Sequence, residues 1–223
     1  MENKIKIIKF GEDVEGYKIP VLNEREVRAA AGVLFILMFI SVFTVLLKGN
    51  FVLLKYAIII FLTDMLLRVY INPKFSPSLI LGRLIVRDQA PEYVGALQKK
   101  FAWKIGVAIA TIMFILQIVL NSYSPITGSL CFICLIFLFF ETAFGICIGC
   151  KVYSWFKKEK VLYCPGEVCD VAKRADIQKT SITQILIVIG SIVFIFITIL
   201  LFNDDFSKKP YNMFGIFSST QSK

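Results

Sequence analysis

The chain reads as an all-α, polytopic membrane helix bundle, with about five transmembrane helices, a short interfacial helix and a cytoplasmic N-terminus. Three observations carry this reading. Hydrophobic residues make up 57% of the 223 positions and mean hydropathy is +0.74, whereas soluble domains hold about 45–50% apolar residues. Only 18% of residues are charged, so a water-soluble globule would expose much of the apolar excess. The apolar residues also gather into runs of about 20, the length that crosses about 30 Å of hydrocarbon. This composition excludes disorder, and the lack of period-two alternation argues against a membrane barrel. The chain has no His, which removes histidine triads, HExxH zinc sites and haem ligation by His.

The expected spans cover residues 29–47, 51–71, 101–120, 126–152 and 182–202. The second is the least clean, because it contains Lys55, Asp64 and Arg68. A polar stretch, residues 1–28, precedes the first run and is too long and too acidic for a signal-peptide n-region. The first span is therefore expected to remain as an anchor.

Basic residues set the orientation. Lys4, Lys6, Lys9, Lys18, Arg25 and Arg28 precede span one, and Lys74, Arg83, Arg87, Lys99, Lys100 and Lys104 lie between spans two and three or at their edges. Lys151, Lys157, Lys158, Lys160, Lys173, Arg174 and Lys179 separate spans four and five. The opposite side carries only Lys48, Lys208, Lys209 and Lys223. The positive-inside rule then places the N-terminus in the cytoplasm and the C-terminus outside an inner or plasma membrane. The net charge of +9 is accounted for by basic loops against an anionic leaflet, with no nucleic-acid partner.

Three parts lie outside the spans. Residues 1–28 form a cytoplasmic arm, with a weak hairpin signal around GEDVEG. Residues 78–87 (SLILGRLIVR) set Leu and Ile against Arg83 and Arg87, as in a helix lying in the interface with guanidinium groups toward phosphates. Residues 156–180 form a basic cytoplasmic loop containing Cys164 and Cys169, and residues 203–223 an external tail. Residues 29–202 count as one membrane domain.

Ionisable groups inside a span are costly and are usually paired or face a cavity. Asp64 and Arg68 are four apart, hence on one helix face. They read as a local ion pair fixing the bundle or, alternatively, as a proton or substrate site. Lys55 is expected to snorkel outward. Glu141, in LFFETAFGICIGC, has no basic residue within a turn. It must be neutral or matched from another helix, as a packing carboxyl or a proton carrier. Glu141, Gly145 and Gly149 recur every four residues as a small-residue stripe for a second helix.

Of the six Cys, Cys131 and Cys134 form one CxxC (CFIC) and Cys147 and Cys150 a second (CIGC), both expected on span four. The first pair falls near the outer face and the second near the cytoplasm. Their midpoints are 16 residues apart, about 24 Å along a helix. The pairs then cannot exchange directly without a carrier or a large movement. Cys147, Cys150, Cys164 and Cys169 together have a spacing open to two uses. One is a four-thiolate zinc or iron–sulfur site. The other is a dithiol that exchanges with a thioredoxin-like partner or carries sulfur. Buried packing cysteines are the plain alternative.

These residues resemble a bacterial integral-membrane family, the domain of unknown function forty-three ninety-five. The resemblance spans about residues 23–153. It rests on Asn23-Glu24-Arg25, Asp64 with Arg68, Pro73, Ser76-Pro77, Lys100-Phe101-Ala102 and Gly106, and most specifically on Glu141, Gly145, Cys147, Gly149, Cys150, Lys151 and Tyr153. Cys164, Cys169 and the fifth span fall outside it. The resemblance implies small multi-span proteins, some occurring beside thioredoxin- or rhodanese-like proteins, and so thiol or sulfur handling. The leading expectation is that role, with Cys147 and Cys150 reactive and Glu141 as a proton or packing group. The alternatives are a non-enzymatic scaffold or accessory subunit, and a small transporter in which Asp64, Arg68 and Glu141 line a path, with a homo-oligomer needed to build the pore.

Overall fold

The computed structural model describes residues 10–15, 17, 19–149, 152 and 180–212. The chain is an all-α membrane helix bundle. β1 (Val21–Asn23) leads directly into α1 (Glu24–Lys48). Asn23 caps α1 by accepting from the Arg25 amide at 3.2 Å, and Glu24 and Glu26 sit at the positive end of the helix dipole. Lys48 occupies the last turn, and Gly49 ends the helix with φ of 64°, a left-handed position that glycine adopts without a Cβ penalty.

α2 (Val52–Leu66) returns across the bundle and widens into a π-helical turn, Leu67–Ile71. A 3-10 turn, Pro73–Phe75, leads to α3 (Pro77–Ile85), whose Ser76 cap accepts from the Leu79 amide. β2 (Tyr93–Gly95) pairs antiparallel with β1, with Leu22 opposite Val94. α4 (Ala96–Phe114) also ends in a π-helical turn, Ile115–Val119. β3 (Ser122–Tyr123) precedes α5 (Pro125–Phe144), and α6 (Ile182–Ser207) precedes β4 (Tyr211–Asn212), which pairs parallel with β3.

Among the described residues, α1, α4 with its π turn, α5 and α6 are long and apolar enough to span a bilayer. The residues of the second expected span fold as α2 and its π turn, and Lys55, Asp64 and Arg68 lie within it, all buried. α1 packs on α2, α3 and α5, and α2 packs on α4. Leu34, Phe61, Trp103, Val107, Cys134 and Leu138 belong to the one apolar cluster that joins these helices.

Two side chains depart from expectation. Lys55 does not snorkel outward. Its ammonium is buried and donates to Asn121 Oδ1 (2.8 Å) and to the carbonyls of Phe206 (3.3 Å) and Lys208 (3.2 Å), carbonyls at the negative end of α6. The interfacial helix appears as α3, yet Arg83 points inward rather than toward phosphates. It pairs with Glu26 at 3.1 Å and donates to Gln184 Oε1 at 3.4 Å. In both cases partners from other segments satisfy the buried charge. The hairpin signal also has an outcome. Glu12 bridges Val21, but the main strand partner of that arm is β2.

Close approach between α1 and α3 depends on Gly82, where a Cβ would lie 2.5 Å from the Glu26 carbonyl oxygen and 3.0 Å from the Ala30 nitrogen. Backbone cannot yield as a side-chain tip can. Gly82→Ala is expected to cost about 1–3 kcal/mol in SDS-titration unfolding. Gly128→Ala, whose Cβ meets open space, is the control and should cost nothing.

Candidate functional site

The site forms where α1, α4 and α5 meet at one end of the bundle. α5 begins with a reciprocal cap between Ser124 and Thr127 and Pro125 in its first turn. It ends at Phe144, not at residue 152 as the apolar run suggests. Gly145 has φ of 65°, and the amides of Gly145 and Ile146 both return to the Phe140 carbonyl, a left-handed helix stop. A Cβ at Gly145 would also sit 3.1 Å from the Arg28 guanidinium carbon. The break removes the expected helical stripe of Glu141, Gly145 and Gly149, and it takes Cys147 off the helix. Gly149 packs on α4 instead, where a Cβ would lie 2.6 Å from the Ala102 Cβ.

Glu141 is matched from another helix. Lys99 on α4 donates to Glu141 Oε1 at 2.8 Å and to Glu24 Oε1 at 3.1 Å. The second Glu24 oxygen lies 2.8 Å from the same ammonium, without a directed hydrogen bond. Side-chain exposure is 2% for Lys99, 0% for Glu24 and 14% for Glu141, so this triad is nearly dry. Arg28 adds a second positive charge to the field at Glu24. Two carboxylates and two cations thus gather at the end of three helices.

A cavity of about 50 Å³ opens beside this triad, lined by Trp103, Cys134, Leu138, Glu141, Cys147 and Gly149 among others. At about 10–15 Å³ per water it holds a few waters or one small polar group. Cys134, from CFIC, and Cys147, from CIGC, wall the same cavity. Cys131 is also buried, one turn earlier on α5. The Trp103 Nε1 is buried and has no hydrogen-bond partner among the described residues. The cavity wall therefore combines thiols and a carboxylate held by an ammonium.

Asp64 and Arg68 form the ion pair that their spacing predicts, Nε to Oδ2 at 2.8 Å. Asp64 also accepts from Ser76 Oγ (2.7 Å), the Ser78 amide (2.9 Å) and Ser78 Oγ (2.6 Å). Arg68 donates to Ser76 and Ser78 as well and lies 5.0 Å from the Trp103 ring. Asp64 and Arg68 are not on the wall of the cavity that holds Glu141. Cys150, Cys164 and Cys169 lie outside the described residues. Among the described residues no group of three or more His, Cys, Asp or Glu is placed to hold a metal.

Sequence reasoning missed Glu24, Lys99 and Trp103 as site residues. Lys99 reads as a loop charge, and its partners lie 42 and 75 residues away. The one usable signal was the demand that a membrane carboxylate find a cation on another helix.

A family model described as Domain of unknown function (DUF4395) matches residues 22–158, and the chain belongs to that family. No curated protein and no solved structure matches it.

Proposed function

We propose, with that membership as premise, that this membrane protein carries out thiol–disulfide exchange or handles reduced sulfur at the bilayer. Cys147 and Cys150 are the reactive pair, and Glu141 is the neighbouring group that takes or returns the thiol proton. The observation that carries the reading is the placement of Cys147 and Glu141 on one small cavity, with Glu141 held by Lys99. A thiol must lose its proton before it attacks, and a carboxylate on the wall of the same cavity is a proton acceptor for that step.

In exchange with a thioredoxin-like partner, the thiolate of one cysteine attacks the partner's disulfide. A mixed disulfide forms and one partner thiolate leaves. The second cysteine then closes the internal disulfide and releases the other partner thiolate. Two thiols are oxidised and one disulfide is reduced. Asp64 and Arg68 enter this proposal only as frame, since their bonds are spent on each other, Ser76 and Ser78.

The topology that goes with this reading places residues 1–28, the 156–180 loop and the Glu141 end of the bundle in the cytoplasm, and residues 203–223 outside. Its support is the basic residues, concentrated before α1, between α2 and α4, and after α5.

The test is an intact mass with thiol counting on the purified full-length protein, before and after an oxidised dithiol partner is added. A loss of two hydrogens that maps to Cys147 and Cys150 is expected. Cys150→Ser should trap a mixed disulfide and abolish turnover while leaving membrane insertion intact. A Cys147→Ser/Cys150→Ser variant with full activity overturns the proposal. A metal retained on Cys147, Cys150, Cys164 and Cys169 and lost on chelation overturns it in favour of a zinc or iron–sulfur centre.

A further inference from the structure

α6 is fastened at its two ends and touches the bundle little between them, with Thr198 buried there. At its start, Gln184 donates to the Lys74 carbonyl at 3.1 Å and accepts from Arg83. At its end, the Phe206 and Lys208 carbonyls accept from Lys55, the Phe206 ring lies 5.0 Å from Tyr56, and β4 pairs with β3. In between, only 6% of its apolar window is buried. A slot of about 410 Å³ separates its Ile187–Ile195 stretch from α1, α2 and α3, within the size range of ligand sites.

We propose that this slot is a binding site for one hydrocarbon chain of a bilayer lipid, entering sideways from the membrane. Its wall carries four polar side chains, Thr63, Asp64, Ser78 and Ser191. Three of them are spent inside the protein: Asp64 and Ser78 on the Arg68 network, and Ser191 on the Ile187 carbonyl at 2.8 Å. The slot therefore offers a headgroup almost nothing and a methylene chain an apolar lining. From Ile187 to Ile195 is about 12 Å of helix, which matches the depth of one leaflet in a core of about 30 Å. The fastened ends keep α6 from collapsing onto the gap, and an unfilled apolar gap forfeits its dispersion contacts. A lipid chain is the solvent that restores them. This inference is independent of the thiol chemistry.

The test reconstitutes the full chain in phosphatidylcholine vesicles containing a phosphatidylcholine with a photoreactive diazirine in one acyl chain. Labelled residues are mapped by mass spectrometry. Labelling at Val33, Leu37 and the slot face of Ile187–Ile195 is expected to exceed that at the exposed Leu200 and Leu201 at least fivefold, with close to one label per chain. Gly190→Trp places its side chain where a Cβ meets open space, so it should fill the slot. Slot labelling should then fall about tenfold, with Leu200 and Leu201 unchanged. Val188→Phe, from the same wall, should act likewise and serves if the first variant does not insert. Equal labelling at slot and outer face, or insensitivity to both variants, would overturn the proposal.

Discussion

Lys99→Met is expected to lower the stability of the protein by about 3–5 kcal/mol, the usual cost of removing one partner from a buried ion pair. Glu24 and Glu141 would be left facing each other without the ammonium that now lies within 3.1 Å of both. Glu24 is fully buried and has no water to turn to, and Arg28 is then the cation left in its field. SDS-titration unfolding of the purified protein measures the loss. The triple variant Lys99→Met/Glu24→Gln/Glu141→Gln removes all three charges together and should recover most of it, because the penalty comes from uncompensated charge and not from lost packing. A loss under about 1 kcal/mol for the single variant would mean that the triad is solvated like a surface pair.

The second large effect is expected at Asp64. Asp64→Ala takes away the acceptor for the Arg68 guanidinium, both Ser hydroxyls and the Ser78 amide at once. That amide belongs to the first turn of α3, where no helical carbonyl is available to it. A loss of about 3–5 kcal/mol is expected, with α3 released from α2 and tryptic cleavage at Arg83 or Arg87 accelerated. Asp64→Asn keeps an acceptor oxygen and should lose less. Asp64→Ala/Arg68→Met should be more stable than Asp64→Ala alone, since it removes the orphaned cation. Equal stability of the single and double variants would show that Arg68 finds another anion.

Much of this architecture could be read from the sequence. Apolar runs located α1, α4 and α6, and the Leu/Ile/Arg pattern at 78–87 located α3 as Pro77–Ile85. The Asp64–Arg68 pair was legible because both partners sit on one helix turn. α5 was overextended for a definite reason. GICIGC is as apolar as the helix before it, and hydropathy carries no information on φ, which turns positive at Gly145. Lys55 and Lys99 were misread because the rules for lone membrane charges assume lipid or water around them. Both instead find partners 42 to 153 residues away, and only tertiary structure brings those together. Of the site, sequence supplied Glu141 and Cys147. It could not supply Lys99, or the cavity that brings Cys134 and Cys147 onto one wall.

The bonding of α2 bears on how the chain enters the membrane during synthesis. α2 is the segment least able to partition into lipid by itself, since Lys55, Asp64 and Arg68 each oppose transfer. Yet the polar unit of Asp64 and Arg68 is completed by Ser76 and Ser78, no more than 14 residues downstream. It can be assembled, already neutralised, as that stretch leaves the translocon. Lys55 has no such early partner. Two of its three acceptors, the carbonyls of Phe206 and Lys208, are made 151 and 153 residues later. The nascent bundle therefore seals one end early and leaves the ammonium at the other with Asn121 as its one acceptor of the three until α6 arrives. The last helix, though it buries little, is the one that discharges this waiting cost and closes the fold.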